Sequence, residues 1–333
     1  MQVDFRAFKE PEPGRKWARV FRRLWPAYQK WYLREGEGSR PTLHSCACAL
    51  RDHMPELVPT YERLVELAGG SDLAGRFLSL YRPPAYLSGC SQAAWSRGEP
   101  LLVRNYDYSP RFWEGSIVQS AWTGRRVIGV SDCLWDLLDG MNDSGLCASL
   151  SFGGSRRVGS GFGIPILLRY VLETCATTGE ASRALCRLPS HMAYNVTLLD
   201  RDGDSCTVLL GPDREAVVSP SMVATNHQEP VEWWRFVEVT RSLEREQFLR
   251  ERLADPAESR DDFVSRFRSP PLLSRGFGAG WGTLYTAIYE PHQGRVTHRL
   301  ADHSRSHTFD DFNEERLMLD YGASSEEGPL LSE

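Results

Sequence analysis

The sequence predicts an α+β protein in which two paired β-sheets are flanked by layers of helix. Three observations favour this fold class. Residues 1–85 have the periodicity of helices, the chain changes to short strands and turns from Cys90 onward, and two pairs of helices interrupt those strands.

The N-terminal part is predicted to be helical. Aromatic and aliphatic side chains recur every three or four positions between residues 17 and 28, which places them on one stripe of a helix. A second helix is predicted over residues 55–67, ending at Gly69-Gly70, and a third over residues 73–81, ending at Pro83-Pro84. We interpret this part either as a helical domain that packs on the remainder or as a pro-segment or accessory subunit, because it ends just before Cys90.

Beyond residue 90 the sequence alternates between strands and helices. Glycine and proline turns separate short apolar runs, which is typical of hairpins, and Pro165 suits the first turn of a helix. The predicted strands are residues 88–95, 101–103, 116–122, 125–130, 147–152, 193–200, 205–210, 221–227, 282–289 and 295–298, and the predicted helices are residues 164–177, 179–188, 240–253 and 256–268.

Composition indicates an ordinary globular protein. The 333 residues are 41% hydrophobic and 25% charged, which fits two domains or one large domain with an appendage. A net charge of −5 gives no reason to expect nucleic acid or an anionic membrane as a partner. The longest apolar stretches, such as residues 163–171, are too short for a membrane span, and residues 1–6 lack an apolar signal core. The expected location is therefore the cytoplasm, and the oligomeric state is left open.

The cysteines do not predict a metal site or a disulfide framework. None of them forms a CxxC pair or has histidines at zinc-finger spacing, and a cytoplasmic protein is not expected to form disulfides. We therefore expect no metal and no cofactor. The eight cysteines are at positions 46, 48, 90, 133, 147, 175, 186 and 206.

A predicted hairpin over residues 88–108 organises the candidate site. Its first strand contains Gly89-Cys90, and its second apolar run is followed by Arg104-Asn105-Tyr106-Asp107. In an antiparallel pair the start of one strand lies opposite the end of the next. We therefore expect Cys90 to lie close to Arg104 and Asp107, although they are fourteen and seventeen residues away along the chain.

This arrangement suits a thiol nucleophile. A cation beside a cysteine favours the reactive thiolate, a nearby carboxylate orients a base or an amine, and the preceding glycine leaves room around its own carbonyl. Other interpretations stay open, because a lone cysteine at a strand start is more often a small buried hydrophobe. Cys90 is alternatively the nucleophile of an uncleaved thiol hydrolase with His191 or His227 as its base, or the fold is a binding module without catalysis.

Five motifs, in order along the chain, resemble those of one known family. They are Gly89-Cys90-Ser91, Arg104-Asn105-Tyr106-Asp107, Gly140 to Leu146, Ala224-Thr225-Asn226-His227 and Thr283 to Pro291. Over roughly residues 86–300 the chain resembles the acyl-coenzyme A:6-aminopenicillanic acid acyltransferases (peptidase family C45) of the N-terminal nucleophile hydrolases. It is similar, more distantly, to the penicillin V acylases and choloylglycine hydrolases.

The resemblance implies a four-layer αββα sandwich of two antiparallel sheets. It also implies self-cleavage between Gly89 and Cys90, which yields a mainly helical α chain (residues 1–89) and a β chain (residues 90–322) that begins with the nucleophile. Residues 323–333 are acidic and rich in serine, and we predict that they form a mobile tail.

The resemblance also implies a role for each candidate residue. Cys90 is the nucleophile, and its freed α-amine is the general base. Arg104 and Asp107 polarise the thiol and orient the amine. The side chain of Asn226 donates to the oxyanion, Asn142 contributes at the same place, and Arg275 matches a distal arginine of the family.

The expected partner is a small-molecule acyl amide or acyl thioester, and the two chains of the cleaved protein are expected to stay associated. The sequence does not predict the acyl donor, or whether water or an amine accepts the acyl group. Five aromatic residues are interpreted either as walls of an apolar acyl pocket or as core: Trp95, Tyr106, Tyr108, Trp113 and Trp135.

Overall fold

The computed structural model describes residues 1–322, which form two β-sheets and their covering helices. The strands, numbered along the chain, are β1 (Gln2–Glu10), β2 (Gly89–Trp95), β3 (Leu101–Tyr108), β4 (Ser116–Ser120), β5 (Val127–Asp132), β6 (Asp136–Asn142), β7 (Cys147–Phe152), β8 (Tyr194–Leu199), β9 (Ser205–Leu210), β10 (Val217–Ser219), β11 (Val223–Ala224), β12 (Gly282–Glu290), β13 (Arg295–Leu300), β14 (His303–Thr308) and β15 (Glu315–Asp320). The helices are α1 (Arg15–Tyr32), α2 (Leu43–His53), α3 (Val58–Leu67), α4 (Asp72–Leu78), α5 (Ile164–Thr174), α6 (Thr178–Arg187), α7 (Trp234–Val239), α8 (Ser242–Ala254) and α9 (Arg260–Arg266). Among these helices, none has both the length and the apolar character needed to cross a membrane.

The strands of residues 1–322 are divided between a larger and a smaller sheet. The larger sheet has the order β10-β9-β8-β7-β6-β5-β4-β1-β15, and the smaller sheet has the order β11-β2-β3-β12-β13-β14. Neighbouring strands are antiparallel, except that β1 runs parallel to β4. The larger sheet is therefore mixed at one position, whereas the family resemblance implied two purely antiparallel sheets.

The two sheets face each other, and helices cover their outer faces. In the interior, Ser149 Oγ of β7 donates to Gln92 Oε1 of β2 at 2.8 Å. Outside the larger sheet α5 lies so close to β6 that a Cβ on Gly140 would be 2.9 Å from Leu172. Outside the smaller sheet, Trp95 of β2 packs on Phe263 of α9 with ring centroids 5.2 Å apart. The layers therefore follow the order helix, sheet, sheet, helix, and the predicted αββα sandwich is confirmed.

The N-terminal part contains a strand that the sequence analysis did not predict. Strand β1 lies between β4 and β15, and Val3, Phe5 and Ala7 are buried there. Apolar and polar residues alternate along β1, which is the two-residue period of a strand. Helices α1 to α4 agree with the mainly helical character predicted for the rest of this part. The segment before Cys90 is thus built into the sandwich; its separation as an α chain stays a prediction, and the predicted tail, residues 323–333, lies outside the described residues.

The smaller sheet contains a buried histidine. His298 of β13 is fully buried, and within residues 1–322 neither of its ring nitrogens has a hydrogen-bond partner. Its ring packs at 6.2 Å from the ring centroids of Tyr285 and Tyr289. Burial, and then the nearby His307, lower the pKa of His298 from 6.5 to about 3. The folded protein therefore requires the neutral imidazole.

Acid is expected to destabilise the fold through this histidine. The unfolded chain takes up the proton near pH 6.5 and the folded chain only near pH 3, so the free energy of unfolding falls as the pH is lowered between these values. The contribution of one such group is about 1.4 kcal/mol per pH unit. Urea unfolding across this range measures how the free energy of unfolding changes with pH. In His298→Phe this pH dependence should decrease by an amount equivalent to about one proton. In His292→Gln, which replaces an exposed histidine, it should stay unchanged. An unchanged pH dependence in His298→Phe would contradict this assignment.

Candidate active site

The β2–β3 hairpin brings Cys90 and Arg104 together. Cys90 lies opposite Tyr106 in the antiparallel ladder, and Arg104 is two residues from Tyr106, on the same face of the sheet. Arg104 Nη2 is 3.2 Å from Cys90 Sγ, and both side chains are fully buried. The guanidinium is therefore placed to stabilise negative charge on the sulfur.

Groups from the larger sheet and from β12 hold Arg104 in this position. Its Nη1 donates to the Leu138 carbonyl oxygen at 2.7 Å and to the carboxylate of Asp139. The same carboxylate accepts a hydrogen bond from the Tyr285 hydroxyl at 2.6 Å. Burial by itself lowers the pKa of Arg104, but Tyr285, Cys90 and Asp139 together raise it well above its usual value. Arg104 is consequently a permanent cation beside the thiol.

Burial of Cys90 nevertheless keeps its thiol protonated. Burial raises the pKa of the Cys90 thiol, and this effect outweighs the opposing influence of Arg104. The cation, which by itself favours the thiolate, does not compensate for the loss of solvation. Nucleophilic attack by this sulfur at neutral pH therefore needs a base that takes the thiol proton.

Asn226, just after β11, contacts the backbone around Cys90. Its Oδ1 accepts a hydrogen bond from the Cys90 backbone N–H at 2.9 Å. Its Nδ2 donates to the carbonyl oxygens of Ser88 and Phe152 at 3.2 and 3.4 Å. The side chain is fully buried. The side-chain amide of Asn226 thus provides a hydrogen-bond acceptor for the nitrogen of Cys90 and hydrogen-bond donors close to Cys90.

Asp107 flanks the Gly89-Cys90 peptide from the other face of β3. It lies opposite Gly89 in the ladder, and its carboxylate has Thr283 and Arg245, rather than the thiol, as its partners. Thr283 Oγ1 donates to Oδ1 at 2.6 Å, and Arg245 Nη1 is 3.7 Å from Oδ2. Burial raises the pKa of Asp107, while Arg245 and Thr283 oppose that rise.

Arg245 of α8 is a site residue that the sequence analysis missed. Its Nη1 donates to the Cys90 carbonyl oxygen at 2.7 Å and to Ser91 Oγ at 2.8 Å. Its Nη2 donates to Asn226 Oδ1 at 2.8 Å. The residue is 3% exposed, and burial lowers the pKa of its guanidinium. Arg245 therefore links the carboxylate of Asp107, the backbone of Cys90 and the amide of Asn226.

The structure does not bring Asn142 to Cys90. Asn142 ends β6, and its Nδ2 donates to the carbonyl oxygens of Leu172 and Cys175 at 2.8 and 2.7 Å. Its Oδ1 accepts from the backbone N–H groups of Ser144 and Leu146, both at 3.1 Å. These four hydrogen bonds tie the β6–β7 turn to the end of α5, so no contact supports the role predicted for Asn142 at the oxyanion.

Arg275 likewise lies apart from Cys90. It is exposed in the loop before β12, and within residues 1–322 its side chain forms no hydrogen bond or ion pair. With Arg268 and Arg299 it lines a cavity of about 880 Å³. No contact of Arg275 supports its predicted role.

Neither of the two histidines considered as a base contacts Cys90. His191 is buried, and its Nδ1 is 3.1 Å from the Gly159 carbonyl oxygen. His227 Nδ1 is 2.8 Å from Ser242 Oγ, and His227 Nε2 is 2.8 Å from Glu246 Oε2. The geometry therefore gives no support to a Cys–His pair at this site.

All eight cysteines are free thiols. Within residues 1–322, no three His, Cys, Asp or Glu side chains are grouped as ligands for a metal ion. The side chains that gather around Cys90 are two guanidiniums, an amide and a carboxylate.

An aromatic cavity of about 480 Å³ is lined in part by the segment that precedes the Gly89-Cys90 peptide; neither Gly89 nor Cys90 itself lines it. Tyr86 and Leu87, which precede that peptide, contribute to its wall, and so does Trp281. The Trp281 ring lies 2.5 Å from the place that a Cβ on Gly89 would occupy, so a larger residue at position 89 would displace this wall. Of the five aromatic residues considered from the sequence, Tyr108 lines the cavity, and the others are buried in the core: Trp95, Tyr106, Trp113 and Trp135.

Comparison with known proteins identifies a family that matches the chain. The family model described as acyl-coenzyme A:6-aminopenicillanic acid acyl-transferase matches residues 95–305, which is more than half of the chain. No curated protein has significant sequence similarity to the chain.

Several solved structures are similar to this chain. A mutant of the conjugated bile acid hydrolase from Clostridium perfringens is 15% identical and aligns over 71% of this chain and 98% of that one, with a TM-score of 0.45. Penicillin V acylase from Agrobacterium tumefaciens is 15% identical over 68% and 90% of the two chains, with a TM-score of 0.45. The Caenorhabditis elegans ortholog of N-acylethanolamine-hydrolyzing acid amidase is 18% identical over 70% and 100%, with a TM-score of 0.47.

The family match covers the chain from the end of β2 to β14, and with it the segments that carry Arg104, Asp107, Asn226 and Arg245. It begins five residues after Cys90, so the roles of the individual side chains depend on the geometry described above. The chain belongs to the acyl-coenzyme A:6-aminopenicillanic acid acyl-transferase family.

Proposed function

We propose that this protein is a self-cleaving cysteine amidohydrolase or acyltransferase that forms an acyl-enzyme on Cys90. One observation carries the proposal: the sulfur of Cys90 lies 3.2 Å from Arg104 Nη2, and the backbone nitrogen of Cys90 lies 2.9 Å from Asn226 Oδ1. The nucleophile and its prospective base thus belong to the same residue, and each has a buried polar partner of its own.

Cleavage of the Gly89-Cys90 bond supplies the base. In this single event the Cys90 sulfur attacks the Gly89 carbonyl carbon, the thiol proton passes to the departing Cys90 nitrogen, and water hydrolyses the resulting thioester, which leaves a carboxylate on Gly89 and restores the thiol. The cleavage converts the backbone nitrogen of Cys90 into an α-amine, whose usual pKa of about 7.7–8.0 leaves part of it unprotonated at neutral pH. Because burial keeps the thiol protonated, a base on the same residue is what the sulfur needs. Asn226 Oδ1 holds that amine through a hydrogen bond, and Arg245, which is ion-paired with Asp107, donates to the Cys90 carbonyl oxygen.

The same groups account for one catalytic cycle. The sulfur attacks the acyl carbonyl carbon while the amine takes the thiol proton. Arg104 stabilises charge on the sulfur, and Asn226 Nδ2 donates to the oxygen that becomes negative; such a donor contributes about 3–4 kcal/mol. The α-ammonium then returns its proton to the leaving amine or thiol, which leaves an acyl thioester on Cys90. Water or a second amine takes the acyl group and restores the thiol.

The α chain, residues 1–89, stays in place after cleavage and helps to form the acyl pocket. Strand β1 pairs with strands on both of its sides, which holds the segment in the larger sheet. Six aromatic side chains line the 480 Å³ cavity, and the first two belong to the α chain: Trp31, Tyr86, Tyr108, Phe112, Trp233 and Trp281. We infer that an apolar acyl group of a small amide or thioester binds there.

A panel of acyl p-nitroanilides, penicillins, acyl-homoserine lactones and acyl thioesters tests this function. We expect turnover of at least one apolar acyl substrate, and a mass increase equal to its acyl group on the peptide that begins with Cys90 when the reaction is quenched. Turnover with the acyl group on another residue, or no turnover of any of them by the cleaved protein, would contradict the proposal.

A further inference from the structure

A chain of buried hydrogen bonds leads from α8 to Asn226. Glu246 Oε2 is 2.8 Å from His227 Nε2, and His227 Nδ1 is 2.8 Å from Ser242 Oγ. That hydroxyl oxygen accepts a hydrogen bond from the Asn226 backbone N–H at 2.7 Å. Ser242 is fully buried and His227 is 8% exposed. The catalytic cycle described above gives none of Glu246, His227 and Ser242 a role.

The three residues have the order of a Ser-His-carboxylate triad, but their surroundings do not suit a second nucleophile. Ser242 is enclosed at the first turn of α8 and is not exposed to any substrate. Its oxygen is already an acceptor for the Asn226 N–H and lies 2.9 Å from Thr225 Oγ1. The hydrogen-bonded chain therefore ends on Asn226 and not on an open cavity.

The same turn of α8 also holds Asn226 through its side chain. Arg245, three residues after Ser242, donates to Asn226 Oδ1 at 2.8 Å. From the other side, Asn195 Nδ2 donates to the carbonyl oxygens of Thr225 and His227 at 3.0 and 3.1 Å. The backbone of Asn226 is thus held by Ser242, and its amide is held by Arg245. Rotation of this backbone would move Oδ1 away from the nitrogen of Cys90.

We propose that Glu246, His227 and Ser242 are positioning residues that hold Asn226 where its side chain contacts the nitrogen of Cys90. The proposal rests on the proposed function, in which Asn226 binds the Cys90 amine and donates to the oxyanion. None of the three residues lines the 480 Å³ cavity within the described part of the chain, so their loss acts on the rate of acylation and not on substrate binding. A displacement of about 1 Å at a reacting centre lowers the rate by about 100-fold.

Substitution of Ser242 tests the proposal most directly. Ser242→Ala removes the acceptor of the Asn226 N–H, and we expect kcat to fall about 10- to 100-fold while KM stays within about twofold. Glu246→Gln keeps an oxygen for His227 and should give a smaller loss. His227→Asn, whose amide reaches the position of Nδ1, should retain more activity than His227→Gln, whose amide reaches the position of Nε2.

Ser79→Ala is the matched control. Ser79 is also fully buried, and its oxygen likewise accepts a hydrogen bond from a backbone N–H, that of Tyr81 at 3.2 Å, so this variant loses a comparable hydrogen bond away from Asn226 and from the 480 Å³ cavity. Its kcat should stay within about twofold of the unsubstituted enzyme. Equal losses of kcat in Ser79→Ala and Ser242→Ala would overturn the proposal.

A crystal structure of Ser242→Ala separates this proposal from the proposed function. We expect Asn226 Oδ1 to have moved beyond hydrogen-bond distance, about 3.2 Å, from the Cys90 nitrogen. An unmoved Asn226 would overturn the positioning proposal whether or not the unsubstituted protein turns over any substrate. Absence of turnover in the unsubstituted protein, by contrast, would count against the proposed function alone.

Discussion

Replacement of Cys90 by alanine should abolish both self-cleavage and turnover. In the proposed mechanism the sulfur is the atom that attacks in both reactions, and the alanine variant should keep the fold because it removes one atom from a buried position. We expect kcat/KM to fall by about 10⁴-fold or more, and the purified variant to have the mass of the intact chain. Activity assays and intact-mass spectrometry measure the two effects.

Cys186→Ala is the control for this variant. Cys186 is an exposed thiol on α6, so its removal should leave cleavage and turnover unchanged. Turnover in Cys90→Ala at the level of the unsubstituted enzyme would place the reaction at another residue.

Asn226→Asp should lower kcat by about 10²- to 10³-fold. The aspartate keeps an oxygen near the Cys90 nitrogen, but it replaces the Nδ2 donor by a second oxygen that faces the carbonyls of Ser88 and Phe152. The oxyanion loses its donor and meets a negative charge. Alkylation of Cys90 by iodoacetamide should continue in the cleaved variant, because the aspartate still offers an oxygen to the α-amine that takes the thiol proton, and the contact of the sulfur with Arg104 is untouched.

Asn142→Asp is the matched control for Asn226→Asp. Asn142 is another fully buried amide whose Nδ2 donates to two carbonyl oxygens, those of Leu172 and Cys175. Its replacement should reduce the free energy of unfolding by about 1–3 kcal/mol and leave kcat within about twofold. A loss of kcat in Asn142→Asp as large as in Asn226→Asp would show that Asn142 acts in the reaction, as the resemblance implied.

The parts of the fold that depend on local pattern were predictable. The β2–β3 hairpin follows from two apolar runs around a Gly/Pro turn, and helix α5 follows from Pro165 in its first turn. Strand β1 has the alternation of a strand, but its place in the larger sheet was not predictable, because its neighbours, β4 and β15, lie about 100 and 300 residues further along the chain. Local periodicity contains no information about such distant partners.

The candidate site likewise contains residues that were predictable from the sequence and residues that were not. Arg104 lies near Cys90 because a hairpin fixes their distance, and a short motif singled out Asn226. Arg245 was missed because it stands in a run of exposed Glu and Arg residues along α8; its only sequence signal is the spacing of the buried Ser242, Arg245 and Leu249. That spacing becomes informative only once α8 is known to pack on β2.

Asn142 shows how one motif can suit two different roles. Asparagine before Asp-Ser-Gly is also a turn former, because its side chain accepts hydrogen bonds from backbone groups two to four residues ahead. In the structure these turn contacts and the carbonyl oxygens at the end of α5 use the whole amide. Residue type and order along the chain are the same for both roles, so only the three-dimensional position separates them.

The mass of the purified, unsubstituted protein tests the central claim most directly. The account requires the bond between Gly89 and Cys90 to be broken, so intact-mass spectrometry with N-terminal sequencing should find two associated chains, of which the larger begins at Cys90. An active protein that consists of one uncleaved chain would contradict it, because Cys90 would then have no α-amine to take the proton from its thiol.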